Sequence, residues 1–353
     1  MPQKVTIVYN EPQASLYIDV NKKRAVLDVL NAVDAVHKSL LELGHEVELL
    51  PLLPPFAEAR KKLEAVNTEV VFNLFEGFCD EPETEPLVPE TLEELGIPYT
   101  GCRADVLEFA LDKARVKETL KEAGILTPEF QLLSPENLDT FGLDFPCIVK
   151  PRADDASNGI TEDSLVNDFA ALEKQVRFIS ESFRSGALVE HFLNGQEFNA
   201  TVMGNAKKII LPVSEIVYTL DPDTPRILTY AAKWEPKSQY YKRTNNVCPA
   251  EVSAEEKENI ANTAMSAYEL VIGSGYARVD MRTDEDGKLN IIEVNPNPDI
   301  SLDSGAARQS QAAGMSYAEF IGQIVNLALE SDKDGFENTP HVGRRQAGAD
   351  INT

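Results

Sequence analysis

Tyr276-Ala277-Arg278-Val279-Asp280-Met281-Arg282 and Leu289-Asn290-Ile291-Ile292-Glu293-Val294-Asn295 are two runs of alternating polar and apolar residues. They are joined by the acidic turn Thr283-Asp284-Glu285-Asp286-Gly287-Lys288. Alternation with a period of two marks strands, and the Asp-Gly step marks a hairpin turn. With Glu285 to Lys288 as the loop, Asp284 pairs with Leu289, so that Asp280 falls opposite Glu293 and Arg278 opposite Asn295. These four polar groups then project from one face. Val279, Met281, Ile292 and Val294 project from the other, towards a core. Two directly opposed carboxylates repel and need a counter-charge; Arg278 offers one, and a divalent cation offers a better one. Asp280, Glu293 and the Asn295 amide oxygen are hard donors of the kind Mg²⁺ takes alongside phosphate, and Glu293 can bridge a pair of ions. A solvated polar face with a surface ion pair is the plainer alternative.

Outward from the hairpin, the amino-terminal third alternates strands with helices. Val5–Tyr9, Val47–Leu50 and Val70–Leu74 read as buried strands. Ala25–Leu43 reads as a helix with the stripe Val26, Val29, Leu30, Val33, Leu40 and Leu41, stopped at Gly44. Glu90–Leu95 is a further short helix, followed by Gly96 and a strand at Pro98–Tyr99. This order predicts an open parallel α/β sheet with ligands at the strand C-termini, where Asn73-Leu74-Phe75-Glu76-Gly77 stands. Beyond Leu107 the pattern changes. Lys113–Ala123 is a helix, Pro146–Pro151 a strand ending beside Lys150, and Ala187–Glu190, Glu197–Met203 and Ile209–Pro212 are strands of antiparallel kind. Ser253 opens a helix with the capping-box pair Ser253 and Glu256, and Tyr317–Leu329 is the last helix. Residues 331–353 lack apolar periodicity and are expected to form a flexible tail.

The length of 353 residues suits two or three lobes, and a hydrophobic fraction of 43% is that of an ordinary globular protein. A formal net charge of -25 argues against nucleic acid and anionic membranes as partners. No apolar run is long enough to span a bilayer, and the start lacks a signal-peptide pattern. Cys79, Cys102, Cys147 and Cys248 are scattered without metal-ligand spacing and read as reduced thiols, so a cytoplasmic location is expected.

Arg278-Val279-Asp280 and Glu293-Val294-Asn295-Pro296-Asn297-Pro298 resemble the closing motifs of ATP-grasp ligases, in particular the D-alanine–D-alanine ligase group. The resemblance runs from about Lys4 to Leu329. It includes Gly96-Ile97-Pro98-Tyr99-Thr100-Gly101, Leu111-Asp112-Lys113, Ile148-Val149-Lys150-Pro151, and Leu188 to Phe198 with Glu190, Gly195 and Glu197. It implies an ATP-grasp α/β fold: an amino-terminal lobe over 1–103, a central lobe over 104–186 and a carboxy-terminal lobe over 187–330, with the tail over 331–353. It further implies ATP and two Mg²⁺ (Mn²⁺ being an alternative ion), held by Asp280, Glu293 and Asn295. Lys113 and Lys150 would hold the phosphates under a loop containing Ser157. Glu190, His191 and Leu193 would line the adenine, Glu197 would bind the ribose, and Lys233 would belong to the closing loop, where Trp234 stands for the family's Tyr. Arg278 would stabilise the oxyanion, and Ser304 would hold the carboxylate of the incoming amine substrate. A homodimer is expected by analogy alone.

The implied activity is an ATP-dependent ligase that joins amino-acid-like substrates through an acyl phosphate. D-alanine–D-alanine ligase itself is one alternative, and an ATP-binding regulator without turnover is another. Three departures concern the substrate. Tyr9-Asn10-Glu11-Pro12 replaces the family's Gly-Gly turn, with Ser15 near the expected acid; Asn73 to Asp80 lacks the family's histidine; and Asp299 stands at a glycine position. Glu11 or Glu76 could take over an ammonium contact.

Overall fold

Apolar strands pair both with neighbours in the chain and with more distant strands, and the described residues form three sheets. The computed structural model describes residues 2–11, 20–78, 81–153, 159–183 and 185–331. Ser15, Cys79, Asp80, Ser157 and the tail beyond Ser331 lie outside them.

The amino-terminal sheet is parallel, in the order β2-β1-β3. It comprises β1 (Lys4–Asn10), β2 (Glu46–Leu52) and β3 (Val70–Leu74), with helices α1 (Val20–Glu42), α2 (Phe56–Glu64) and α3 (Leu87–Leu95). Gly96 ends α3 in the left-handed region at φ 65°, where a side chain would be strained. The chain then adds Tyr99 as a parallel bridge beside Val71. The apolar stripe of α1 differs from the expected one: Val29, Val33, Val36 and Leu40 are buried, whereas Leu30 and Leu41 face outward. A helix covering a narrow sheet buries one face only, and spacing alone did not fix where that face is centred.

Helices α4 (Ala104–Ala110) and α5 (Lys113–Glu122) follow. The second sheet is antiparallel in the order β4-β7-β5-β6, from β4 (Phe130–Leu133), β5 (Cys147–Pro151), β6 (Leu165–Val166) and β7 (Ala187–His191), with α6 (Phe169–Phe183) against it. The third sheet runs β11-β10-β8-β12-β13, with β9 also on β8. Its strands are β8 (Glu197–Gly204), β9 (Lys208–Ile210), β10 (Ser214–Tyr218), β11 (Thr244–Val247), β12 (Tyr276–Thr283) and β13 (Leu289–Asn295). Short helices α7 (Tyr230–Trp234) and α8 (Gln239–Arg243) and the long α9 (Ala254–Val271) lie between these strands; α10 (Gly305–Ala312) and α11 (Tyr317–Ser331) close the chain. Ser253 caps α9 with the expected reciprocal pair to Glu256. No helix among the described residues is long and apolar enough to cross a membrane. Cys102, Cys147 and Cys248 are free thiols.

The apolar cores join segments far apart in the chain. One unites α4 and α5 with β8, β12, β13 and α9, through Leu107, Val116, Leu120, Ala200, Val279 and Met281. Another unites the amino-terminal sheet and α1 with α11, through Val5, Ile7, Phe72, Phe320, Ile321 and Ile324. Position along the chain therefore differs from membership of a core: α4 and α5 precede the second sheet yet pack against the third. The segment after α5 also touches the outer strand β13. The Ile291 N–H donates to the Leu126 carbonyl at 2.8 Å, and the Thr127 hydroxyl donates to the Ile291 carbonyl at 2.8 Å.

Candidate active site

The β12–β13 hairpin brings Asp280 opposite Glu293 and Arg278 opposite Asn295, the pairs expected from the sequence, but by a different route. Asp284 N–H donates to the Lys288 carbonyl and Gly287 takes φ +77°, so the loop tip is one residue shorter than supposed, and Thr283 pairs with Leu289. The Asp284 carboxylate holds this tip by accepting from the N–H groups of Asp286 and Lys288. A bulge between Asp280 and Met281 then absorbs the offset. In consequence Ile291, not Ile292, joins Val279, Met281 and Val294 in the core, and Ile292 is half-buried.

On the polar face, Asp280 accepts from Arg278 Nε at 2.7 Å and Nη2 at 2.8 Å, and from Asn295 Nδ2 at 3.1 Å. Glu293 meets Lys113 Nζ at 2.6 Å. Burial pushes the Glu293 carboxyl up, but Lys113, Lys150 and Arg278 outweigh burial and bring it down to about 2. Burial likewise opposes the charge of Arg278, and Asp280 and Glu293 more than restore it. Lys113 is the first residue of α5, whose cap is the Asp112 side chain, and Arg152 grips that cap with Nε at 2.9 Å and with Nη2. The segment that follows Lys150 is thereby tied to the helix that presents Lys113.

Behind this face lies a buried charge cluster. Lys150 on β5 points to the same side as Ile148, whose cross-strand partner is Glu190 on β7. Lys150 Nζ is 2.7 Å and Lys117 Nζ 3.2 Å from the same Glu190 oxygen. Burial pushes the Glu190 carboxyl up, but Lys117 and Lys150 bring it below its ordinary value. The sequence reading missed Lys117. It lies one helical turn beyond Lys113 on α5, a spacing that puts both on one face of the helix.

The remaining expected nucleotide contacts spread along the sheet edge. His191 N–H donates to the Glu129 carbonyl and Phe192 N–H to the Pro146 carbonyl, so a hydrogen bond from either to a base would break one already made. Leu193 is buried beside them. Glu197 opens β8 and is bound by Tyr218 Oη at 2.8 Å and by Arg282 Nη1 at 3.3 Å, from its cross-strand partner. Burial holds the Glu197 carboxyl above its ordinary value although Arg282, Tyr218 and Lys233 of α7 draw it down. Arg282 also lies over the Phe192 ring, 5.0 Å from its centroid. Arg282 and Tyr218 were not singled out from sequence; Arg282 continues the alternation of Arg278 and Asp280 and could have been. Ser304 is buried at the N-cap of α10, where its oxygen accepts from Ala307 N–H. Ser157 cannot be placed, since it lies outside the described residues.

At the strand C-termini of the amino-terminal sheet, Glu11 and Glu76 are exposed and Asn10 Oδ1 accepts from Glu76 N–H at 3.4 Å. Asn73 is buried and serves its own turn, accepting from Phe75 N–H. The segment after β13 reaches this edge: Asn297 Nδ2 donates to Glu85 at 2.6 Å and to the Phe75 carbonyl. Asp299 accepts from the Ser301 N–H and hydroxyl.

Among the described residues no three of His, Cys, Asp and Glu converge as a self-sufficient metal centre. Two opposed carboxylates and one amide are instead an incomplete oxygen set. That set fits Mg²⁺ with phosphate oxygens as the missing ligands.

A family model described as D-ala D-ala ligase C-terminus matches residues 120–326. The uncharacterized protein y4sG of Sinorhizobium fredii is 30% identical over 306 residues, 84% of this chain and 86% of that protein. The D-alanine–D-alanine ligase of Pseudothermotoga lettingae is 29% identical over 305 residues, 85% of this chain and 94% of that enzyme. In fold, the chain is similar to the crystal structure of the Bacillus anthracis D-alanine–D-alanine ligase complexed with ATP. The TM-score is 0.70 at 22% identity, covering 94% of this chain and 99% of that one.

Proposed function

Since the chain belongs to the D-alanine–D-alanine ligase family and is an ATP-grasp ligase forming a peptide-type C–N bond, we propose that it couples two amino-acid-like substrates through an acyl phosphate. The observation that supports this most is the convergence of Lys113, Lys150 and Arg278 on the opposed pair Asp280 and Glu293. In an otherwise acidic chain this is an inset of cations facing carboxylates, and phosphoryl transfer asks a protein chiefly for positioning and charge neutralisation.

In this reading a carboxylate oxygen of the first substrate bonds to the γ-phosphorus of ATP as the bond to ADP breaks. The amine nitrogen of the second substrate then bonds to the acyl carbon, phosphate leaves, and the amine gives up a proton. Lys113 and Lys150 hold phosphate oxygens as fixed ammonium charges. Arg278, already oriented by its fork on Asp280, offers its outer N–H groups to the oxygen that becomes negative during the second step. Asp280, Glu293 and Asn295 would hold Mg²⁺, which supplies charge neutralisation on the phosphates. Ser304 uses its oxygen as a helix cap, which keeps its hydroxyl proton for a substrate carboxylate.

Substrate choice departs from D-alanine. The histidine position carries Asn73, turned to its own loop, and Asp299 puts a carboxylate where the family has a glycine. D-Alanine as sole amino acid is therefore expected to react poorly, with a bulkier or differently charged partner preferred, because a site whose polar groups lose their partners discriminates strongly. The test is ADP release across a panel of D- and L-amino acids, alone and in pairs, with products identified by mass. A pair that outperforms D-alanine supports the reading. Efficient D-alanyl-D-alanine formation overturns the specificity, and ADP release with no pair overturns the ligase mechanism.

A further inference from the structure

Lys117 has no place in the chemistry above, yet it is an ammonium buried to 2% exposure in the heart of the nucleotide side. Its Nζ sits 3.2 Å from Glu190 and 2.9 Å from the Thr127 hydroxyl, which in turn donates to the Ile291 carbonyl on β13. Lys150 reaches the same Glu190 oxygen from β5 at 2.7 Å. Burying an ammonium costs several kcal/mol unless its partners return that energy. One lysine is enough to neutralise one carboxylate. A second cation on the same oxygen is a cost that packing does not explain.

We propose that Lys117 is a positioning residue for the nucleotide: by neutralising Glu190 it leaves the charge of Lys150 available to the polyphosphate. Without Lys117, Glu190 and Lys150 form a neutral buried pair, and Lys150 would have to leave that pair to meet a phosphate. With Lys117, three ammoniums (Lys113, Lys117, Lys150) face two carboxylates (Glu190, Glu293), and a net positive charge remains before any ligand arrives. Burial lowers the Lys117 ammonium to about 8, against the pull of Glu190 and with the push of Lys150, so it sits at the limit of what the cluster can keep charged. Lys117 acts through Glu190 and Lys150 and need not touch the nucleotide.

The inference rests on the ATP-grasp reading of Lys150, and the test separates the two. Binding of MgADP is measured by calorimetry, and kcat and KM for ATP by steady-state kinetics, in the full chain, in Lys117→Met, in Glu190→Gln and in the double variant. Lys117→Met should weaken MgADP and raise the KM for ATP by about tenfold or more, the scale of one charge-assisted contact, with a smaller change in kcat. The double variant removes the carboxylate that Lys117 served and should bind MgADP to within about threefold of Glu190→Gln alone, so that the loss caused by Lys117→Met disappears once Glu190 is gone. A role in packing alone would not be rescued by removing a second charged group. Unchanged binding in Lys117→Met, or the same loss from Lys117→Met in the Glu190→Gln background as in wild type, overturns the inference. Should Lys117→Met fail to fold, Lys117→Gln takes its place in the same cycle, with the same two outcomes. Absence of MgADP binding in the wild-type chain would instead overturn the nucleotide reading itself.

Discussion

The two ends of the site treat their carboxylates differently. At the proposed nucleotide position Glu190, Glu197, Asp280 and Glu293 each meet a lysine or arginine within 3.3 Å. At the proposed substrate position Asp299 is held by a serine, Glu85 takes an amide hydrogen bond from Asn297, and Glu11 and Glu76 are exposed. The first arrangement is preorganised for a polyanion, because its cations are already fixed and partly desolvated. The second sets carboxylates at the strand edge, the kind of group an incoming ammonium would meet. The residues that match the family fall mostly on the first side, and those that depart from it fall on the second.

The largest expected effect tests the nucleotide side at its centre. Glu293→Gln removes the carboxylate opposite Asp280 and should lower ADP formation about a hundredfold or more, the scale of losing one preorganised charge contact, while leaving the fold intact. Circular dichroism checks the fold, and wild-type turnover at limiting Mg²⁺ would remove Glu293 from the site. A smaller effect comes from Lys150→Ala, which should raise the KM for ATP about ten- to a hundredfold. Lys207→Ala, on the turn between β8 and β9, and Lys208→Ala, at the first residue of β9, should change it little. Equal effects at all three positions would mean that the nucleotide lies elsewhere. The smallest change sharpens the contrast on the substrate side. Asp299→Gly restores the family's residue and should raise kcat/KM for D-alanine by roughly threefold to tenfold, the scale of a modest pocket adjustment. A fall in that ratio would show that the Asp299 carboxylate serves the reaction instead of restricting it.

Much of this was legible in the sequence because period-two alternation is a strong local signal. β3 has the ends read from sequence, and the hairpin presents the expected residues on its polar face. What the sequence could not show were two compensating offsets: a shorter loop tip and a bulge at Ile292. Either offset alone would have turned Glu293 into the core, since a one-residue slip reverses the faces of a strand. Lys117 was hidden for another reason. A lysine on a charge-rich helix reads as solvated, and only the tertiary fold brings its Nζ within 3.2 Å of Glu190 on β7. Ser304 is similar: α10 was not foreseen, so its role as a cap was invisible. Core membership was the least legible, because the return of α11 to the first sheet is a contact between chain ends with no local trace.

The linker contact on Ile291 has a consequence for self-association. β13 is the last strand of its sheet, and an unprotected last strand is a template on which another chain can add itself. Here the N–H and carbonyl of Ile291 are already engaged, by Leu126 and Thr127 of the same molecule. A partner strand zipping along β13 would have to evict that linker before it could form an uninterrupted ladder. Any pairing of two copies should therefore use side-chain surfaces elsewhere and leave the β12–β13 hairpin of each copy to itself.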